Sequence, residues 1–507
     1  MFFLDLLVIV LLGYTLVSHY RIFPTYLERI AMAWITGAGV KSLSLFVMLS
    51  LGFRPLIEFQ LVLDCGLLVL AALFCNTRFS WMPEALPKDF WADGSPVLRV
   101  APFIILLLAA LSFYFAAAYP VTESDAIWYV VKGKIFYHEA SLFSPLVVEQ
   151  LRLYPPFIPL LYCYWYSGDV ENIRLLFPLF YLSMLSIFYG RVTAYTGRRE
   201  LAAAFTMILA STPYLWWHSY MAGLDLTAGI LFAMGLVFCL FLLREVEDFD
   251  ADHGDKKAAL GWATLAGGLL ALSAWTRWEY IIYAAVPVSL LALQFVYEKR
   301  RSPIAQEALS RLLWMLLSVP SLWCVTVLLS NETVAGRTLL VFATYAGLWG
   351  FLLLWNMLGD AKLTARGLQG IAMTGAALFV IVFSMKGSGG FFFSGGMAAF
   401  RVIAGQFFFL FTSALIAFVF LQSYGELNPE SRFLLKSVGL YLFFHWAVFA
   451  YADPKWATWG EYFRATFLHP GHSINLSDMR SLIAAYPALV FLIAVLPQVS
   501  RAYGRPR

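Results

Sequence analysis

The chain has 507 residues, 61% of them hydrophobic and 13% charged, with a formal net charge of +4. Soluble domains carry about 25% charged residues, so this composition excludes a soluble globular protein and gives an integral membrane protein. The basic residues are spread over loops rather than concentrated in a patch, and no nucleic-acid partner is expected.

Apolar runs of roughly 18–24 residues predict spanning helices. They fall near 2–18, 30–51, 56–75 and 98–119, then 173–190, 200–216, 222–243, 258–275 and 278–297. Further runs fall near 312–330, 336–358, 366–385, 401–422, 436–452 and 481–498. The expected fold is an all-α polytopic bundle of about 13–15 transmembrane helices, with an external loop carrying interfacial helices. Segment 200–216 is the weakest of these, being short and interrupted by Pro213. Met1 to Tyr20 lacks a basic n-region and a small-residue cleavage motif, so it is expected to be a retained span.

Alternate loops and their flanks collect most of the basic residues, among them Arg78, Lys88, Arg198, Arg199, Lys256, Lys257, Lys299, Arg300 and Arg301. The positive-inside bias then puts the 120–170 loop, the turn at Arg277 and the 453–480 loop on the non-cytoplasmic side. Segment 154–167 is too short to span and opens with Pro155-Pro156, so it is expected to lie as a helix in the membrane interface. The stretch 244–257 is mixed in charge and reads as a solvated connector. Glycines flank Phe391-Phe392-Phe393 in an apolar loop. Cys65, Cys75, Cys163, Cys239 and Cys324 lie in or beside apolar runs and form no Cys-x-x-Cys pair, so neither a disulfide framework nor a zinc site is expected.

Residues 119–157 concentrate charge at the mouth of a hydrophobic helix. On a helix, Asp125, Trp128, Tyr129 and Lys132 share a face. A carboxylate at the bilayer edge is either a general base with raised affinity for a proton or an exposed helix-start residue. Glu123 precedes it, and Lys132, Lys134 and Arg152 are candidates to neutralise a phosphate. Tyr154 joins Arg152 before the proline pair. Asp225 opens a spanning helix, where an acid also suits the helix dipole. Arg277 and Glu279 occupy a tight turn between spans, where charges are costly and either functional or a turn-anchoring pair. The 453–480 loop adds His469, His472 and Arg480, but two histidines without a third ligand do not make a zinc site. Lys41 and Asp64 lie inside spans and either pair or face a groove.

The order of these features resembles a family. It runs from Asp125-x-x-x-Tyr129 through Pro155-Pro156-Phe157 and the small-residue-plus-acid start Ala222-Gly223-Leu224-Asp225. It continues through Thr276-Arg277 after Gly268-Leu269-Leu270-Ala271-Leu272 to Arg480-Ser-Leu-Ile-Ala-Ala-Tyr486-Pro-Ala-Leu489. The pattern is similar to the GT-C membrane glycosyltransferases, in the branch of aminoarabinose transferases and protein O-mannosyltransferase relatives. It covers roughly 98–297 and, more weakly, 430–500. Residues 1–97 then read as additional helices, 98–300 as a catalytic core and 301–507 as C-terminal helices. The resemblance implies a bacterial inner-membrane enzyme with its site on the external face. It would move a sugar from a polyprenyl-phosphate donor to a lipid, glycan or protein acceptor, with Asp125 as the base and no cofactor. The family's second acid is replaced here by Ala126. A polymerase or ligase built on the 453–480 loop, and a transporter, are the other readings.

Overall fold

The computed structural model describes residues 1–75, 95–121, 124–170, 172–250, 254–297, 302–330, 337–357, 427–452, 483–496 and 499. The expected spans 366–385 and 401–422, the glycine-flanked phenylalanines and the 453–480 loop lie outside them.

Among the described residues every regular element is helical. The first four are α1 (Phe2–Ser18), α2 (Tyr26–Ser50), α3 (Ile57–Cys75) and α4 (Pro96–Ala118). Then come α5 (Ser124–Glu139), α6 (Glu149–Arg152), α7 (Phe157–Ser167), a 3-10 turn (Ile173–Leu175) and α8 (Leu176–Thr196). The chain continues through α9 (Arg199–Ala210), α10 (Pro213–His218), α11 (Leu224–Asp250), α12 (Lys256–Thr276) and α13 (Tyr280–Tyr297). The last are α14 (Pro303–Leu329), α15 (Arg337–Met357), α16 (Pro429–Ala452) and α17 (Ala485–Val495). Seven of these helices, within the described residues, are long and apolar enough to cross a membrane, and four shorter ones are strongly apolar. The protein is an all-α polytopic membrane protein.

Local chemistry sets the helix ends. Thr25 caps α2: Glu28 N–H donates to Thr25 Oγ1 at 3.3 Å, and the Thr25 hydroxyl donates to Glu28 Oε2 at 2.8 Å. Prolines occupy the first turns of α4, α10 and α14, where no backbone donor is lost. Pro213 breaks the expected span 200–216 into α9 and α10, because a proline ring cannot continue the helical ladder behind it. Gly197 ends α8 at φ 70°, the left-handed conformation that a side chain resists.

The centre of the bundle is α11, whose most apolar window is buried on all sides. It packs on α12, α8, α13, α16 and α17. By contrast α3 and α4 bury little of their surface and turn apolar side chains outward, as lipid-facing helices do.

Two buried charges staple the bundle. Arg191 in α8 donates to Glu28 Oε1 of α2 at 2.6 Å, and its guanidinium lies 4.9 Å from the ring centres of Phe241 and Trp262. Arg174 donates to the carbonyls of Phe115, Ala116 and Pro120 at 2.7–3.1 Å. The Phe115 carbonyl also accepts the Tyr119 N–H at the C-cap, while Ala116 is in the last turn of α4 and Pro120 lies just beyond it, so Arg174 fixes where the chain leaves α4 for the following loop.

Segment 154–167 is confirmed as too short to span, since α7 has 11 residues. Its surroundings differ from an interfacial helix. Every residue of α7 except Tyr166 is buried, and the helix is walled by α5, α2 and α12. An apolar, aromatic helix with no polar face gains most by burying its whole circumference in protein. Gly133 of α5 makes this contact: a Cβ there would come 2.6 Å from Tyr162 Cβ and 2.7 Å from the Pro159 carbonyl.

Candidate functional site

The site forms where α5, the α6–α7 connection, the start of α11 and the α12–α13 turn meet. The turn is short because α12 ends at Thr276 and α13 begins at Tyr280. Arg277, extended at the C-cap of α12, ion-pairs with Asp225 in the first turn of α11. Its second Nη lies 3.4 Å from Glu279 Oε1. The Tyr154 hydroxyl donates to that same Glu279 oxygen at 3.0 Å. Thus residues from three distant segments form one hydrogen-bonded group around Arg277 and Glu279.

Aromatic rings enclose this group. The Tyr154 ring packs against Trp278 at 5.2 Å and Tyr129 at 6.1 Å. Tyr129 is one turn beyond Asp125, which is the second residue of α5. Asp225 and Trp278 are buried, while Arg277 and Glu279 keep a minor part of their side chains exposed. The Glu279 Oε2 atom is buried and has no hydrogen-bond partner among the described residues.

The electrostatics follow from burial and pairing. Burial disfavours the Arg277 charge, but Asp225 and then Glu279 outweigh it and hold the guanidinium firmly protonated. Burial pushes the Tyr154 phenol up, and the Glu279 charge pushes it further, so Tyr154 remains a donor. Tyr129 is raised first by burial and then by Tyr154. One cation faces two carboxylates, so the cluster keeps an excess of negative charge. It suits hydroxyl or ammonium donors better than a phosphate.

Two of the expected phosphate ligands have protein partners in this structure. Lys132 is buried and donates to the carbonyls of Leu151 and Tyr154, each at 2.8 Å, and of Arg152 at 3.4 Å. It holds the α6–α7 connection in place. Burial lowers its ammonium to about 7. Arg277 is likewise committed to two acids, which would repel a phosphate. Trp128 also leaves the expected face, being exposed while Tyr129 and Lys132 are buried. The remaining members disperse. Lys134 is exposed, and Arg152 donates to the Val147 carbonyl at 3.3–3.4 Å. Glu123, His469, His472 and Arg480 lie outside the described residues. Ile483 and Ala484, the next described positions after Arg480, pack on Gly229, one turn into α11 from Asp225.

Trp323 is a further organising residue that sequence reasoning did not single out. It lies in α14, donates to the Leu153 carbonyl at 3.1 Å and stacks on Phe143 at 5.2 Å. The ring thereby anchors both ends of the loop that presents Tyr154. Its one sequence signal is a tryptophan well inside a long apolar helix, away from the interface that tryptophan prefers. Among the described residues no group of His, Cys, Asp or Glu is arranged to hold a metal ion. No family model matches the chain, and no curated protein or solved structure matches it.

Proposed function

We propose that this protein is an integral membrane glycosyltransferase of the GT-C kind. In this reading it takes a sugar from a polyprenyl-phosphate carrier and passes it to a lipid, glycan or protein acceptor. The reaction is placed on the non-cytoplasmic face of a bacterial inner membrane. Asp125 acts as general base on the acceptor hydroxyl, and a single displacement inverts the anomeric centre, unlike the two-carboxylate retaining arrangement.

One observation carries the reading: Tyr154, Asp225, Arg277 and Glu279 form a single hydrogen-bonded group beside α5, the helix with Asp125 in its first turn. Ionisable groups gathered this way in a membrane protein mark a polar substrate. The acids and aromatic rings suit sugar hydroxyls and the flat faces of a sugar ring. In this reading Lys134, which is exposed, and Arg480 meet the donor's phosphate, with Arg152 beside the proline pair as a further candidate. Spans with outward apolar faces suit contact with the polyprenyl tail.

The test is an assay with bacterial membrane lipids. Purified protein is incubated with the lipid extract, and polyprenyl-phosphate sugars are followed by mass spectrometry. Loss of one such species, with the sugar appearing on an acceptor, supports the proposal. An unchanged lipid profile under conditions where the protein is folded refutes it.

A further inference from the structure

A second charged group lies away from this site, among the N-terminal helices. Lys41 of α2 donates to Asp5 Oδ2 of α1 at 2.8 Å and to Asp64 Oδ2 of α3 at 2.6 Å. Lys41 and Asp64 are each 1% exposed, and Asp5 is fully buried. From α7, the Tyr164 ring centre lies 4.4 Å from the ammonium and its hydroxyl faces both acids. The Cys163 thiol is the other titratable group of α7 that faces Lys41. Neither of these carries charge in the ordinary pH range.

Two carboxylates and one ammonium do not balance. If every group were ionised, a net negative charge would sit inside spanning helices, where it is costly. A second observation points to what restores the balance. Asp5 Oδ1 and Asp64 Oδ1 are both buried, and neither accepts a hydrogen bond from the described residues. The two carboxylates are also near enough to act on each other directly. Ionised carboxylates only accept hydrogen bonds, whereas a protonated one also donates. One proton therefore neutralises the group, and together with the Tyr164 hydroxyl it supplies donors for the two unpaired oxygens. A hard metal cation needs a larger shell of oxygen ligands, and the described residues offer no such cluster.

We propose that Asp5, Lys41 and Asp64 form a proton-binding site that holds one exchangeable proton between the two carboxylates. The site latches α3. The buried residues of that helix are Gln60, Asp64 and Ala71, so polar contacts supply much of its attachment. Gln60 donates to Ser167 Oγ of α7 at 3.0 Å, and Asp64 pairs with Lys41. Loss of the proton leaves excess negative charge at the second of these contacts and weakens the hold on α3.

The experiment is infrared difference spectroscopy of the full chain in lipid nanodiscs, with hydrogen–deuterium exchange. The wild type is expected to show one buried protonated-carboxyl C=O band that shifts in D2O. Asp64→Asn and Asp5→Asn should each abolish it, because each leaves one acid to one ammonium. In Lys41→Met both acids should protonate and the band should grow roughly twofold; if that variant does not fold, the two Asn variants decide. The proposal is overturned if the wild type lacks the band, or if the band persists in both Asn variants. It is also overturned if adding sodium to a choline buffer removes the band, which would make this a metal-cation site.

Discussion

Tyr154 and Glu279 are 125 positions apart in the chain, yet the tyrosine hydroxyl donates to the carboxylate at 3.0 Å. Glu279 in turn meets Arg277, so this bond carries the loop before α7 onto the turn between α12 and α13. The bond is useful to a substrate site because it occupies only one Glu279 oxygen.

Tyr154→Phe tests that bond alone, since the ring keeps its packing on Trp278 and Tyr129. A neutral hydroxyl donating to a carboxylate is worth about 1.5–3 kcal/mol. Thermal unfolding in detergent should show a loss of about that size or less. Sugar transfer should fall more than stability does, because Glu279 loses its orientation.

Arg277→Met is expected to be severe. It strands Asp225 and Glu279 together without a cation, and breaking a buried pair costs about 3–5 kcal/mol. The double variant Arg277→Met with Asp225→Asn should recover part of that loss. Equal melting temperatures for the single and double variants would show that the two acids do not depend on Arg277.

Lys132 predicts a pH dependence. Burial holds its ammonium down to about 7 in the fold, while an unfolded lysine stays protonated to about 10.4. Between these values the unfolded chain binds more protons than the folded one, so stability rises as pH increases from about 7. Below about 7 both states are protonated and this contribution is flat at its lowest value. Melting temperature measured against pH should show the rise in the wild type, and Lys132→Met should flatten it.

Asp125→Asn should insert and melt like the wild type while sugar transfer falls by at least about a hundredfold, the low end for general-base loss. Near-normal turnover in the lipid assay would remove Asp125 from the mechanism while leaving the Tyr154–Glu279 group intact as a binding site.

Much of the architecture was legible from hydropathy. The ends of α1, α2, α3 and α4 fall close to the expected spans, and Pro213 marked the break between α9 and α10. The candidate residues Tyr154, Asp225, Arg277 and Glu279 were each visible as polar groups beside apolar runs. Their union was not visible, because nothing local says that Tyr154 reaches Glu279. The same holds for Glu28 and Arg191, each lying just inside a span and readable as an ordinary flank charge until the two appear 2.6 Å apart. Arg174 carried a similar unread signal, an arginine at the mouth of an apolar run.

By itself the sequence determined that the chain lives in a membrane, that it is helical, and which polar residues resist burial. These follow from transfer energies and from backbone hydrogen bonding, which act on each segment separately. Tertiary structure decided which partners the cations take. Lys132 and Arg277 look alike in sequence to free phosphate ligands, but three carbonyls hold one and two carboxylates hold the other. A buried charge takes whatever partner the packing brings to it, and that partner is set by helices far apart in the chain.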